Sequence, residues 1–445
     1  MTKTKISLSD HFTFKKLIRF TFAPIVMMIF TSVYGVVDGY FVSNYVGKTP
    51  FAALNLIWPF IMVLGSIGFM FGTGGSALVA KTMGEGNSKK ANEQFSFIVY
   101  VSIVLSVVLA LISFVLMRPI SVLLGAQGQL LDNCVVYGRI LCLSVPFFVL
   151  QFEFQSFFVT AEKPKLGLYM TLVCGIANMI LDWLFIAVFD LGLAGAAGAT
   201  AISQFLGGVY PLVYFIRKNT SLLKLSKTRF NLWVLSRTCT NGMSELLSNI
   251  SMSLVSMLYN AQLMNYIGED GVAAYGVLMY VNLIFLSVFI GYCIGTAPIV
   301  SYNYGAQNHT ELQSIFKKSI TILCVSSIAM FALALILAKP LSVIFVGYDK
   351  NLLELTTKAF VYFSFSFLFA SIPMYASAFF TALNNGLISA TVSVLRTVVF
   401  QIAFVLILPL FLSVDGIWIS LACAELCALI VAVIMLAIHK RKYRY

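Results

Sequence analysis

The residues whose types could support chemistry are acids and amides that stand inside long apolar runs. In IANMILDWLF (176–185), Asn178 and Asp182 are four residues apart, so a helix would place them on one face. Asp38 and Thr200 also stand in apolar runs, and we expect all four side chains to lie at a similar depth. An acid inside a membrane span costs roughly 2.5–3.5 kcal/mol on insertion scales, so such an acid is a functional hypothesis by default.

These four side chains offer two carboxylates and two neutral oxygens. Two carboxylates that lie close together at low dielectric cannot easily both stay ionised, so one holds a proton or the two share a cation. The amide oxygen of Asn178 and the hydroxyl of Thr200 would suit Na⁺ as further ligands. We therefore predict a cation-binding site at Asp38, Asn178, Asp182 and Thr200, with H⁺ and Na⁺ both open as its ion. The alternative is an internal hydrogen-bonded cluster that only joins three helices.

The composition indicates that the apolar runs cross a membrane. Of the 445 residues, 60% are hydrophobic and 10% are charged, and the mean hydropathy is +0.94. Soluble domains carry about 25% charged residues. The net charge of +12 is spread between the apolar runs, without a basic face or a nucleic-acid motif, so we expect no nucleic-acid partner.

Apolar runs of about 20 residues or more predict twelve transmembrane helices. We place them at 15–41, 52–82, 94–117, 134–161, 166–189, 192–216, 233–265, 272–302, 315–338, 356–382, 387–411 and 415–438.

Basic residues concentrate in the loops on one side of these predicted helices, and that bias predicts a cytoplasmic location for both termini. The longest polar break, RKNTSLLKLSKTRFN (217–231), falls near the middle of the chain. We therefore predict an amino-terminal six-helix bundle at 1–216, a cytoplasmic linker at 217–231 and a carboxy-terminal six-helix bundle at 232–445.

The two predicted bundles repeat each other. NYVG (44–47) and NYIG (265–268) are 221 residues apart, as are Gly195 and Gly416. Six helices in each half give both copies the same orientation, which is the parallel repeat of a known transporter architecture. The polar set has no second copy, since the same shift places Tyr259, Val399, Ala403 and Leu421 at the positions of Asp38, Asn178, Asp182 and Thr200. This asymmetry favours an ion site over a structural cluster.

Three segments carry a resemblance to a known family. GGSALVAKTMGEGNSKKANEQF (74–95), DLGLAGAAGATAISQ (190–204) and APIVSYNYGAQNHTELQSIF (297–316) closely resemble the multidrug and toxic compound extrusion (MATE) family, and the resemblance runs along essentially the whole chain. It implies an ion-coupled antiporter that expels organic cations from a bacterial cell through the cytoplasmic membrane. It also implies that Asp38, Asn178, Asp182 and Thr200 form the amino-terminal cation site.

Further candidates could line a substrate cavity. Tyr34 stands one helical turn before Asp38, and its ring would suit hydrophobic cations. Glu153 and Glu245 are acids in the inner halves of predicted spans, where each could attract a cation or pair with a polar neighbour. Another branch of the family places acids on helices 7 and 10, but helix 10 has none here. Glu425 coincides with Gln204 under the repeat, which favours a structural role.

Absent motifs narrow the mechanism. The chain has no GxxxxGK[ST] segment and no nucleophile motif, so we expect no ATP hydrolysis, no enzyme and no cofactor besides the coupling ion. The expected partners are the lipid bilayer and small organic cations, and we expect a monomer. The main alternative is a flippase for lipid-linked oligosaccharides, which should show a cationic cavity, whereas Arg396 is the one basic residue deep in a span. A channel or a membrane enzyme is a third class, which the duplicated halves disfavour.

Overall fold

The structure, a computed structural model, describes residues 6–347 and 349–445, without the side chains of Val36, Gly39, Tyr40, Ser43, Asn44 and Lys48. Residues 1–5, with which the predicted amino-terminal bundle begins, lie outside the described residues. Every regular element in the described part of the chain is helical.

The helices follow one another with short connections. They are α1 (Phe14–Phe41), α2 (Lys48–Gly84), α3 (Ser88–Leu123), α4 (Gly128–Thr160), α5 (Pro164–Asp182), α6 (Gly192–Ile216), α7 (Leu232–Tyr266), α8 (Glu269–Gly305), α9 (His309–Val346), α10 (Lys350–Ser364), α11 (Ser366–Ala382), α12 (Gly386–Val394) and α13 (Gln401–Tyr443). Three π-helical stretches extend or join them, at Val42–Val46, Trp183–Val188 and Leu395–Phe400.

The predicted fold of twelve transmembrane helices in two bundles is confirmed. Among the described residues, nine helices are long and apolar enough to cross a membrane, or ten if α10 and α11, bent by 43°, form one span. The run from Gly386 to Tyr443 holds two crossings, because Ser413 breaks the helix with φ 50° and ψ −131°. The remaining crossing is α7, which is 35 residues long but more polar, since it carries Arg237, Asn241 and Glu245.

The helices begin earlier than the apolar runs predict, because polar caps start them outside the apolar region. The Asn87 side chain accepts a hydrogen bond from the Lys90 amide at 3.0 Å and begins α3. The Asn308 side chain accepts one from the Glu311 amide at 3.1 Å and begins α9. These two caps are 221 residues apart, so the repeat extends to the helix starts.

Glycines allow the two bundles to meet at close range. A Cβ atom on Gly84 of α2 would meet the Tyr302 carbonyl of α8, and one on Gly305 would meet the Lys81 carbonyl of α2. Gly84 and Gly305 are 221 residues apart and therefore occupy equivalent positions in the two halves of the repeat. The crossing of α2 and α8 is thus nearly symmetric. Small residues at such crossings let helix backbones approach, which is a common device in membrane proteins.

Both ends of the chain lie on one face of the molecule, which we call the terminal face. The α9 side chains Lys318 and Gln313 donate hydrogen bonds to the carbonyls of Phe12 and Arg444. The segment before α1 also bridges the two halves, because its Leu8 amide donates to Glu162 at 2.9 Å and its Phe12 amide donates to Glu311 at 2.8 Å.

The crossing of α2 and α7 leads to a prediction about stability. A Cβ atom on Gly242 would lie 2.8 Å from the Met70 Cα atom and would also meet the Met70 carbonyl. Because backbone atoms cannot move aside cheaply, we expect Gly242→Ala to cost about 1–3 kcal/mol. The measurement is the melting temperature of the purified protein in detergent.

Gly276→Ala is the matched control, because a Cβ atom on Gly276 has no neighbour within 4 Å. Both variants gain the same helix propensity, so their difference isolates the contact. Equal melting temperatures of the two variants would show that the close approach of α2 and α7 is not tight.

Candidate functional site

Helices α1 and α5 bring two acids together inside the amino-terminal bundle. Asp182, the last residue of α5, has 0% of its surface exposed. Its carboxyl group lies close enough to the Asp38 carboxyl of α1 for the two groups to interact electrostatically. An ionised carboxylate only accepts hydrogen bonds, so a bond between the two carboxyls needs a proton on one of them. The pair is thus suited to hold one proton or to share one cation.

Asn178 and Thr200 are further oxygen-bearing side chains, on α5 itself and on the helix that packs against it. Asn178 is one turn before Asp182 on the same face of α5, and Thr200 lies on α6, which packs against α5. Both side chains are buried, and neither has a hydrogen-bond partner among the described residues. By contrast, the nearby hydroxyl of Thr171 donates to the Gly167 carbonyl at 3.1 Å.

Unpartnered buried polar atoms are costly, at about 1–3 kcal/mol each. Among the described residues, both oxygens of Asp182, one of Asp38, the amide of Asn178 and the hydroxyl of Thr200 are all in this condition. Oxygen atoms in such a group fit a dehydrated cation or a proton, because either would supply the missing partner. Assignment of the four residues to a cation site stays a prediction.

Tyr137 belongs to the same region, and sequence reasoning missed it. This α4 residue is fully buried, and its hydroxyl has no partner among the described residues. It lies close enough to interact electrostatically with both Asp38 and Asp182. A search for acids in apolar runs could not find it, because tyrosine is common in this chain and its position relative to α1 and α5 depends on helix packing.

Tyr34 of α1 lies near both Asp38 and a side chain of α4. Its hydroxyl interacts with the Gln151 side chain and lies near Asp38. Its ring packs beside Gly175 of α5, where a Cβ atom would be 2.9 Å from the ring. The small residue lets α1 approach α5 closely, so Tyr34 contacts the interior of the amino-terminal bundle. Its role in a substrate cavity stays a prediction.

Two other acids occupy different surroundings. Glu153 on α4 is fully buried and accepts a hydrogen bond from Ser102 of α3, so in this conformation it lines no open surface. Glu245 on α7 is partly exposed and lies within electrostatic reach of Arg396. The predicted cavity roles of both acids stay predictions.

Glu425 has a strong partner. The Arg396 Nε atom donates to both of its carboxylate oxygens, at 3.0 and 2.8 Å. This geometry fits the structural role that the sequence predicted for Glu425.

Comparisons with known proteins identify relatives of the whole chain. Residues 24–184 and 246–407 match the family model described as MatE. Multidrug export protein MepA of Staphylococcus saprophyticus is 24% identical over 439 residues, which cover 96% of this chain and 94% of that protein. The protein of the same name from a Staphylococcus aureus strain is 25% identical over 434 residues, with 96% and 94% covered.

Solved structures share the fold. A crystal structure of MATE in complex with MaL6 matches with a TM-score of 0.94 at 20% identity, over 100% of both chains. An outward-facing conformation of a multidrug resistance MATE family transporter of the MOP superfamily matches with a TM-score of 0.93 at 20% identity, over 100% of this chain and 99% of that one. At these identities the likeness shows the fold alone.

The position of Tyr137 gives a prediction that separates ion binding from packing. Tyr137→Phe removes a buried hydroxyl that has no partner, so we expect an equal or higher melting temperature. We also expect that the melting-temperature shift caused by exchanging choline for Na⁺, or by lowering the pH, becomes smaller, since ion binding stabilises the folded state. Thermal unfolding of the purified protein measures both quantities.

Tyr259→Phe is the matched control in the other bundle. It also removes a buried tyrosine hydroxyl, but this hydroxyl forms a hydrogen bond with the Ser420 hydroxyl at 2.7 Å. It should lower the melting temperature and leave the ion-induced shift intact. If Tyr137→Phe behaved in the same way as Tyr259→Phe, Tyr137 would be a packing residue.

Proposed function

The chain belongs to the MatE family, and from this premise we propose that it is an ion-coupled antiporter. It exports cationic amphipathic compounds through the bacterial cytoplasmic membrane by alternating access. The observation that carries the proposal is the proximity of Asp38 to the buried Asp182, together with the buried polar atoms of Asn178 and Thr200 that have no partner in the described part of the chain. Relatives whose names describe multidrug export support it.

The two bundles differ at the position that matters for coupling. Where the amino-terminal bundle has Asp38, the 221-residue shift places Tyr259. The Tyr259 hydroxyl is satisfied by Ser420 at 2.7 Å, and both groups are buried. The carboxy-terminal bundle therefore offers a closed, neutral hydrogen bond where the amino-terminal bundle offers two acids. We assign the coupling ion to the amino-terminal bundle for this reason.

The same site is suited to either of two ions. Asp38 and Asp182 suffice for a proton, because one carboxyl can hold it and share it with the other. Na⁺ needs more oxygen ligands, and the amide of Asn178 and the hydroxyl of Thr200 supply them. We propose that protons can drive transport and that Na⁺ can occupy the same residues. The described residues contain no group of three His, Cys, Asp or Glu that would hold a metal ion by those ligands alone.

The substrate class follows from charge and surface type. Buried carboxylates attract a cation, and aromatic side chains such as Tyr34 contact flat hydrophobic molecules through their ring faces. Glu153 and Glu245 are the further acids that we propose for the substrate route. The excess of basic residues in the loops on the terminal side supports a cytoplasmic location for the terminal face.

The flippase alternative is less well supported. The deep basic residue that it would use, Arg396, donates its Nε hydrogen bond to the buried carboxylate of Glu425. Glu245 adds a second acid near the same guanidinium. A pyrophosphate carries several negative charges and would meet two carboxylates there, so the surroundings disfavour it.

Asp182→Asn tests the coupling site. The amide keeps the shape of the side chain but cannot carry a titratable proton, so we expect energised efflux of ethidium to fall to the level of cells without the protein. Asp38→Asn should have the same effect. Dye efflux from energised everted vesicles measures it, with membrane abundance and melting temperature as checks on folding.

Asp415→Asn is the control for this substitution, because Asp415 is partly exposed and pairs with Lys358 at the surface. Exposed ion pairs contribute little, so efflux should stay near the wild-type rate. Wild-type efflux by both Asp38→Asn and Asp182→Asn would remove the acid pair from the mechanism.

Asn178→Ala and Thr200→Ala separate the two coupling ions. If Na⁺ drives transport, each alanine removes an oxygen ligand and should slow efflux under an imposed Na⁺ gradient at constant pH. The same variants should keep most of their efflux under an imposed proton gradient, because the carboxyls remain. Dye efflux from proteoliposomes with one gradient at a time measures this difference. Equal rates for wild type and both variants under either gradient would exclude Na⁺ from the site.

A further inference from the structure

The polar segment that connects the two bundles lies against α3. Its Lys224 amide donates a hydrogen bond to the Asn92 side chain at 2.6 Å, and its Ser226 amide donates one to the Ser96 hydroxyl at 2.8 Å. These bonds hold the segment 217–231 on the first turns of α3. The side chains that follow in the segment are therefore kept close to the beginning of that helix.

An open cavity of about 630 Å³ lies where this segment meets the beginnings of α3 and α7. Ligand sites in proteins have volumes of this order. Because α1 begins at the terminal face and successive helices run in opposite directions, α3 and α7 begin on the same side as that face. The lining includes three basic side chains, one acid, one amide and one aromatic ring, which are Lys90, Lys227, Arg229, Glu93, Gln94 and Phe230.

Gln94 of α3 is the buried polar side chain of this lining. It is 3% exposed, and neither its Nε2 atom nor its Oε1 atom has a hydrogen-bond partner among the described residues. A buried amide without partners is costly to the folded protein. The amide offers donors at one end and an acceptor at the other, so a molecule that suits it presents both an acceptor oxygen and a hydroxyl group.

The charges of the lining favour an anion that also carries hydroxyl groups. Lys90, Lys227 and Arg229 are exposed, and none of the three forms an ion pair or a side-chain hydrogen bond within the described part of the chain. Glu93 contributes one negative charge, so the lining as a whole is positive. The Glu93 carboxylate repels a second anionic group but accepts a hydrogen bond from a hydroxyl.

Aromatic rings beside the cavity indicate the level of the membrane surface. Phe230 is 76% exposed and Trp233 is 56% exposed, and both line the cavity. The Phe230 ring packs edge-on against Phe97 of α3, with 5.7 Å between the ring centres. Exposed aromatic side chains concentrate at the two surfaces of a bilayer, where the head groups lie. The cavity is therefore at the depth of the lipid head groups.

An apolar stripe on α3 continues from the cavity along the helix. It lies on the face that carries Lys90, Gln94 and Phe97, since its members follow at helical spacings of three and four residues. Each member is between 47% and 70% exposed, so the stripe is not covered by another helix. The members are Val104, Val108, Leu111 and Val115. Because α3 is long and apolar enough to cross a membrane, this exposed face contacts acyl chains.

We propose that the cavity binds an anionic phospholipid with a glycerol head group, of which phosphatidylglycerol is the simplest. Its phosphate lies among Lys90, Lys227 and Arg229, since basic clusters at a membrane surface bind anionic head groups. Its glycerol hydroxyls donate to Glu93 and Gln94, and its acyl chains lie along the α3 stripe. The inference goes beyond the proposed function and does not depend on it.

Lipid binding to the delipidated protein in detergent tests the inference. Native mass spectrometry gives the dissociation constants of phosphatidylglycerol, phosphatidic acid and phosphatidylcholine with identical acyl chains. We expect phosphatidylglycerol to bind about tenfold more tightly than phosphatidylcholine, because the cavity is positive. It should also bind several-fold more tightly than phosphatidic acid, which has the phosphate but no glycerol hydroxyls.

The double variant Lys227→Gln with Arg229→Gln should weaken phosphatidylglycerol binding about tenfold and leave phosphatidylcholine binding unchanged. The matched control is Lys440→Gln with Arg441→Gln, which also removes one exposed lysine and one exposed arginine on the terminal side, but outside the cavity. It should bind phosphatidylglycerol as tightly as the wild type does. All of these positions are exposed, so melting temperatures without lipid should stay close to the wild-type value.

Gln94→Leu tests the buried amide. It removes a buried polar group that has no partner, so the melting temperature without lipid should be equal or higher. The preference for phosphatidylglycerol over phosphatidic acid should fall several-fold, because one hydroxyl acceptor is lost.

Three results would overturn the inference. Equal binding of phosphatidylglycerol and phosphatidylcholine, or equal weakening by the double variant and its control, would mean that the cavity is not the head-group site. Equal binding of phosphatidic acid and phosphatidylglycerol would exclude the glycerol head group. Displacement of the lipid by an equal concentration of water-soluble glycerol phosphate would show that the cavity takes a free anion. None of these measurements involves transport, so their failure and the failure of the antiporter proposal are separate results.

Discussion

The placement of Asp38 beside the fully buried Asp182 is the constraint on which the amino-terminal bundle depends. Two carboxyls in such a place are stable together only when a proton or a cation lies between them. The bundle supplies neither a basic side chain nor a backbone donor to Asp182 in its described part, and both oxygens of this residue stay without a partner. The charge state of the pair is thus left to an external ion, which is the property that a coupling site needs.

The carboxy-terminal bundle solves the same problem in the opposite way. It has the same helix order and even the same helix caps, at Asn87 and Asn308. Two of its polar pairs, however, satisfy each other: Tyr259 is hydrogen-bonded to Ser420, and Arg396 is paired with Glu425. A buried ion pair of this kind carries its own counter-charge, so Glu425 needs no external cation. Duplication preserved the backbone geometry while the two interiors diverged in charge.

Close helix crossings connect the two interiors. At Gly84, Gly242 and Gly305 the backbone of one helix rests on the backbone of another, without side chains between them. Helices in contacts of this type cannot slide gradually past each other, because the backbone of one helix would clash with the carbonyl groups of the other. Under the proposed mechanism, the bundles would move as stiff bodies about such crossings, and an ion bound near α1 and α5 would bias their arrangement.

The sequence by itself was sufficient to predict the class of the fold and to choose the candidate residues of the ion site. Apolar run lengths, basic loops and the 221-residue repeat predicted twelve helices in two bundles, because membrane insertion depends on local hydrophobicity that each segment carries within itself. The asymmetry of the acids was also visible, since Asp38 and Asp182 have no counterparts in the second half. Helix ends were placed less well, because polar caps such as Asn87 lie outside the apolar runs.

Only the tertiary structure decided which side chains meet. The packing brings Tyr137 close to the acid pair and pairs Arg396 with Glu425. Ser413 lies between the predicted spans 387–411 and 415–438, and the structure adds the backbone angles of the break there, φ 50° and ψ −131°. These contacts join residues on helices that are distant in sequence, and their geometry depends on the rotation and spacing of packed helices. Residue type and spacing along one helix do not specify how that helix is rotated against its neighbours. The partners can therefore be identified only from the tertiary structure.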